Sequence, residues 1–185
     1  MAKLTYSMMV SLDGYVAGPS GEIVGAITDE VHAFANREVE RQGTHLYGRR
    51  MYEAMVYWET ADARTDRPRV EREFARIWKN LDKIVYSSTL ATASSARTRI
   101  ERTLDLDEIR TMKSIAEKEL GVAGPTLAHA LVEAGLVDEF SMYVTPVIVG
   151  GGTPYLRDTG RRIDLELVEE HRFRNGVVFL RYAVR

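Results

Sequence analysis

Residues 122–127, Val-Ala-Gly-Pro-Thr-Leu, carry an apolar run through a glycine and a proline into an amphipathic segment. A strand-to-helix turn of this kind leaves the first helical N–H groups without partners, and together with the helix dipole they attract an anion. Pro125 at the first helical position lacks an N–H, so Gly124, Thr126 and Leu127 are the available donors, with the Thr126 hydroxyl beside them. Neither Gly-x-Gly-x-x-Gly nor a P-loop lysine is present, which excludes the two commonest phosphate motifs. On the residues alone, a phosphate cradle and a tight structural turn are equally good readings of Ala123–Leu127.

A second candidate is Tyr-Gly-Arg-Arg-Met-Tyr-Glu at residues 47–53. Arg49 and Arg50 open a helix and oppose its dipole, a conflict that a bound phosphate resolves. That reading stands slightly ahead of a solvated pair of bases. Three hydroxyls, Ser87, Ser88 and Thr89, end an apolar strand, where an α/β sheet forms its ligand crevice. Ser and Thr also end strands with no ligand, so this feature is weak by itself. The triple glycine at 150–152 is read as a flexible turn in preference to a close backbone approach. His32, His45, His129 and His171 have no metal spacing, and no Gly-x-Ser-x-Gly elbow occurs, so they are read as structural or exposed. Trp58 and Trp78 are read as packing residues.

The elements that must position these groups follow from the apolar periodicity. Residues 4–12 predict a buried strand, followed by an Asp13-Gly14 turn and a short apolar restart. Thr28 predicts a helix N-cap with Asp29 and Glu30 in the first turn, Val31, Phe34, Ala35 and Val39 on the apolar face, and Gly43 just past the end. Strands are expected at 44–48, 81–89, 99–104 and 120–123, and helices at 49–58, 70–80 and 105–119. Residues 59–69 are expected to be a surface loop. A helix over 125–134 closes at Gly135, and 138–150 holds the longest strand candidate. Asn175-Gly176 between alternating segments predicts an antiparallel hairpin. The order predicts one domain, 1–185, with a mixed α/β sheet.

The chain has 185 residues, 45% of them hydrophobic, and a net charge of −2 with acids and bases interspersed. Nothing resembles the basic footprint of a nucleic-acid binder or a polybasic membrane patch, and no apolar run approaches the ~20 residues of a membrane span. The N-terminal segment reads as a first strand in preference to a signal peptide. Cysteine is absent, which removes disulfides, thiolate nucleophiles and Cys-ligated zinc. Cytoplasmic residence is the default expectation.

Three separated blocks, Ser-Leu-Asp-Gly-Tyr-Val-Ala-Gly (11–18), Tyr-Gly-Arg-Arg-Met-Tyr-Glu (47–53) and residues 122–156, resemble the dihydrofolate-reductase-like fold, and within it the reductase half of bacterial RibD. The resemblance spans nearly the whole chain in the family's block order. It departs at Ala123, where the family usually has a glycine, and at Pro125. It implies a three-layer α/β/α domain with a mostly parallel central sheet, closed by a C-terminal antiparallel hairpin. It also implies NADPH as cofactor. Val16 and Ala17 are then the backbone at the nicotinamide carboxamide, and 18–25 the lid over it. Arg49, Arg50 and Met51 correspond to the helix start at the adenosine-side phosphates. Tyr86, Ser87 and Ser88 flank the adenine ribose and its 2′-phosphate. Ala123, Gly124, Pro125, Thr126 and Leu127 form the turn under the pyrophosphate.

For the substrate the resemblance implies Glu30 as the acid, with Asp29 as its neighbour alternative, Phe34 as a packing residue and Thr145 as the threonine orienting the acid. Pro146 departs from the usual continuation. Helix first-turn charge is an equally good role for Glu30 and Asp29. The implied activity is an NADPH-dependent reductase acting on a ribosylamino-pyrimidine, as in riboflavin synthesis, or on a pterin such as dihydrofolate. A non-catalytic NADP-binding dimeric protein and a module without nucleotide are the readings from other classes. The resemblance also implies a homodimer paired through the sheet. A zinc deaminase half, with its His and Cys ligands, is missing from this sequence.

Overall fold

The computed structural model describes residues 1–25 and 27–185. In chain order these form β1 (Leu4–Ser11), β2 (Tyr15–Ala17), α1 (Asp29–Glu40), β3 (Gln42–Gly48), α2 (Arg49–Met55), α3 (Trp58–Ala61), α4 (Arg69–Asn80), β4 (Asp82–Tyr86), β5 (Thr98–Glu101), α5 (Leu106–Ile115), β6 (Glu119–Ala123), α6 (Pro125–Glu133), β7 (Glu139–Thr145), β8 (Thr153–Pro154), β9 (Leu165–Arg172) and β10 (Val178–Val184). Eight strands make one sheet in the order β5-β4-β3-β6-β1-β7-β10-β9. Neighbours from β5 to β7 are parallel, and β10 runs antiparallel to both β7 and β9. β2 and β8 form a separate small antiparallel pair.

Parallel strands buried on both faces sort their side chains by alternation. Leu4, Tyr6 and Val10 of β1 join Ile109 of α5 and Leu127, Leu131 and Val132 of α6 in one cluster. On the other face, Val31 and Phe34 of α1 pack on Tyr143 and Phe179, while Phe74 and Trp78 of α4 cover Tyr47 and Val85. The result is a three-layer α/β/α arrangement. No helix among the described residues is long and apolar enough to cross a membrane.

Local signals act as expected at several ends. Thr28 Oγ1 accepts from Val31 N at 3.4 Å, and Gly135 sits at φ +66 after α6. Gly176, at φ +87, turns the β9–β10 hairpin. Three expectations change. Gly43 lies past the end of α1, which stops at Glu40, but it is part of β3, where a Cβ on it would meet Lys118 Cβ at 3.0 Å. The loop expected over 59–69 contains most of α3. The strand from Glu139 stops at Thr145 because Pro146 has no N–H to extend the ladder, so its 7 residues are fewer than the 8 of β1 and β9.

A row of polar positions crosses the α1/α4 face in register: Lys83 pairs with His45, His45 with Gly121, Gly121 with Thr5 and Thr5 with Glu139. Trp78 Nε1 donates to Tyr47 Oη at 3.0 Å, leaving that hydroxyl to donate to His45 Nδ1 at 2.6 Å. His45 therefore carries its hydrogen on Nε2, towards Gln42 Oε1. Gly121 makes room, since a Cβ there would lie 2.3 Å from Gln42 Oε1. Burial, with the Lys83 charge adding to it, pushes the His45 imidazole down to about 3. Burial also lowers Lys83 to about 8, where its ammonium donates to the Trp78 and Leu81 carbonyls at 3.0 and 2.9 Å.

A histidine held neutral in the fold stabilises it only above the unfolded value near 6.5. As pH falls from there towards 3, the unfolded chain takes up a proton that the native one refuses. The stability difference between the wild type and His45→Gln should shrink by about 1.4 kcal/mol between pH 7.5 and 5.5. Urea unfolding of both proteins at the two pH values measures this, and a difference independent of pH would show that His45 takes up its proton in the fold as readily as in the unfolded chain.

Candidate functional site

Register brings the carboxyl ends of the parallel strands to one edge: Tyr47 opposite Ala123, Gly48 opposite Tyr86, and Ser11 opposite Thr145. That edge is where an open α/β sheet holds its ligands. Gly124, at φ +98, caps α6 without a side-chain bond, Pro125 takes the first turn, and no acid follows. α2 likewise begins straight after Gly48 with neither a side-chain cap nor a first-turn acid. By contrast, α1 and α5 carry Thr28 and Asp105 caps and two acids each. A Cβ on Gly124 would lie 3.2 Å from Met51 Cβ, so the two uncapped helix starts touch. This side is built to keep N–H groups free and backbone close.

The arginines differ. Arg49 Nε donates to Glu53 Oε1 at 2.7 Å and Nη1 to Thr89 Oγ1 at 2.8 Å. Its charge is thus partly matched within the chain, which sequence spacing alone had left to a ligand. Arg50 is exposed, with no hydrogen bond or ion pair to the described residues. Of the hydroxyls beyond β4, the buried Ser87 turns inward, accepting from Thr89 N and Leu90 N at 3.3 and 3.0 Å. Ser88 is exposed, and Tyr86 packs on the α5/α6-side core, its phenol pushed up by burial. Arg157, exposed, reaches Thr126 Oγ1 at 3.4 Å.

Val16 and Ala17 lie in β2, flanked by β8 on one side and by Ile23 on the other. Val24 N donates to Val16 O at 3.3 Å and Gly18 N to Glu22 O at 3.0 Å, so residues 18–24 fold back along β2. Within the glycine triplet, Gly150 has open space around it, while Gly152 makes a close backbone approach. Gly152 is at φ +120, and its Cβ would stand 2.1 Å from Ala17 O. Sequence reasoning preferred the turn because nothing local announces a contact 135 residues away.

The substrate-side residues are placed apart. Glu30 is exposed, and its Oε2 accepts from Arg174 N at 3.2 Å. Thr145 is buried, and its hydroxyl donates to Val10 O at 3.0 Å. The expected link between them is therefore not formed: each has found a backbone partner. Phe34 is also not a free packing surface. It stacks on His171 at 5.2 Å and meets Phe173 and Phe179 at 5.4 and 4.8 Å between ring centroids. Asp29 is exposed beside Glu30. Among the described residues no cluster of three His, Asp or Glu side chains could hold a metal. Two depressions of about 390 and 400 Å³ lie at the opposite edge around Asp82 and Arg97, a pair already joined at 2.8 Å.

Arg157 and Asp13 belong to this edge and were not singled out by sequence as site residues. Only Asp13 had a local signal, the turn-forming Asp-Gly pair.

Comparison with known proteins gives the arrangement its place. The Bacillus subtilis (strain 168) protein YyaP is 28% identical over 181 residues, covering 97% of this chain and 94% of that protein. The structure of a pyrimidine reductase-like protein from Corynebacterium diphtheriae superposes with a TM-score of 0.69 at 14% identity, over 100% of this chain and 92% of the other. Dihydrofolate reductase from Enterococcus faecalis, complexed with NADP(H), superposes with a TM-score of 0.64 at 15% identity, over 99% and 96%. The fold is thus dihydrofolate-reductase-like. The family model for the RibD C-terminal domain matches residues 2–179, and the chain belongs to that family.

Proposed function

We propose that this protein is an NADPH-dependent reductase of a small heterocyclic substrate, a ribosylamino-pyrimidine in preference to a pterin. The observation that carries the reading is the contact of Gly124 with Met51, which sets two uncapped helix starts side by side at the strand-end edge. A cofactor with a pyrophosphate and a 2′-phosphate fits that chemistry: free N–H groups, close backbone and arginine forks. The family and the NADP(H) complex of the dihydrofolate reductase neighbour support it.

When bound, NADPH supplies the hydride that reduces a C=N or C=O bond. Gly124, Thr126 and Leu127 would hold phosphate oxygens through backbone N–H, and Arg49, Arg50 and Ser88 would serve the adenosine end. Val16 and Ala17 would orient the nicotinamide end. Glu30 or solvent returns the proton that balances the hydride. A pterin reductase needs its acid locked beside the ring. Here the Glu30–Thr145 pair is unmade, which favours the pyrimidine.

Charge-assisted hydrogen bonds are worth about 1.5–3 kcal/mol, or roughly ten- to a hundredfold in affinity. Arg50→Ala and Arg49→Ala should weaken NADPH by about that factor and NADH, which lacks the 2′-phosphate, far less. Equal losses for the two in fluorescence titrations would remove the arginines from the 2′-phosphate. Gly124→Ala puts an L-residue at φ +98 against Met51 and should cost about 1–3 kcal/mol of stability. It should also weaken NADPH, and a folded variant that binds NADPH like the wild type would deny the cradle.

A further inference from the structure

The exposed side chain of Asp13 spans two loops at the strand-end edge. Oδ1 accepts from Val149 N at 3.2 Å and Oδ2 from Gly150 N at 2.8 Å. The same β1–β2 turn is tied further by Leu12 N to Val147 O at 2.8 Å, Tyr155 N to Gly14 O at 2.9 Å, and Tyr15 N to Ser11 Oγ at 2.9 Å. The neighbouring Ser11 hydroxyl, with the Gly150 and Val149 N–H groups, holds the Asp13 carboxyl below its usual pKa. Little apolar burial holds these loops together: Leu12 is 65% exposed and Ile148 69%. Polar contacts are what fix their relative position.

Beyond the clamp, the chain leads directly to the approach of Gly152 to the Ala17 carbonyl, where no Cβ fits. Backbone in such contact transmits any slip of the 146–152 loop to β2. Resting on the NADPH reading, we propose that Asp13 is a positioning residue for the nicotinamide half of the cofactor: its two oxygens lock the glycine loop so that Ala17 presents its backbone in one place. Both N–H groups need an acceptor, and only a carboxylate offers two. An asparagine keeps one and turns an NH₂ towards the other N–H. On the same reading the adenosine end lies along β3 and β4, with β6 between it and the β1 end that carries this clamp, so the clamp has no hold on it.

The test uses the full chain and two ligands, NADPH and 2′,5′-ADP, which lacks the nicotinamide half. In Asp13→Ala the Kd for NADPH should rise about tenfold, as for a lost charge-assisted bond, while that for 2′,5′-ADP stays within about twofold. Asp13→Asn should recover part of the NADPH loss. Ser11→Ala, which loosens the turn through Tyr15 N, should shift NADPH in the same direction and serves if Asp13→Ala does not fold. Equal weakening of both ligands, or no change in either, overturns the positioning role. A wild type that binds 2′,5′-ADP but gains nothing from the nicotinamide half also overturns it. A wild type that binds neither ligand overturns the NADPH reading itself, and this inference with it.

Discussion

Parallel pairing on both sides of β1 is the constraint from which the rest of the molecule follows. Every parallel neighbour must return through a crossover, so the strands deliver their carboxyl ends, and the segments that follow them, to one edge. β3, β4, β6, β1 and β7 thereby place Arg49, Ser88, Gly124, Asp13 and Thr145 along a single line, although up to 132 residues separate them. The opposite edge receives the strand starts, and there the chain buries Lys83, His45 and Gln42 in closed hydrogen-bonded pairs. One edge keeps its polar groups open and the other closes them.

The two ends of the open edge are prepared to different degrees. Towards β4, two helix starts without side-chain caps and the exposed Arg50 lie open, with backbone held close by Gly124. Towards β7, polar and aromatic groups have already satisfied one another: Thr145 with Val10, Glu30 with Arg174, Phe34 within four rings. On the proposed reading, a cofactor meets a site nearly formed, while a substrate must draw Glu30 from the hairpin. That asymmetry suits an ordered reaction in which the nucleotide arrives first.

What could be read from the sequence was whatever chemistry is local. The Thr28 cap, the Gly135 stop and the Asn175-Gly176 turn depend on residues within four positions, and the strand–helix alternation depends on periodicity. The mostly parallel sheet closed by an antiparallel hairpin also followed, through a resemblance, while the order of its strands came only with the structure. The misreadings are all long-range. Gly43 looked like a helix terminator, yet it answers to Lys118; Gly152 looked like a loose turn, yet it answers to Ala17. The expected pairing of Thr145 with Glu30 is also not made, and the hydroxyl donates instead to a β1 carbonyl that no spacing rule includes.

Arg49 shows why a partner in the fold does not remove the case for a ligand. The order Arg49 then Glu53 is the less favourable one for an i,i+4 pair, since it sets the cation at the positive end of the helix dipole and the anion towards the negative end. Such an exposed pair contributes only a few tenths of a kcal/mol. Opposing the dipole costs a comparable amount, so the arrangement gains the free protein almost nothing. The Thr89 bond matters more, because it holds the guanidinium over the gap between α2 and the β4 loop. A phosphate entering that gap would find a fork already aimed, and it would need to displace only a weak rival in Glu53.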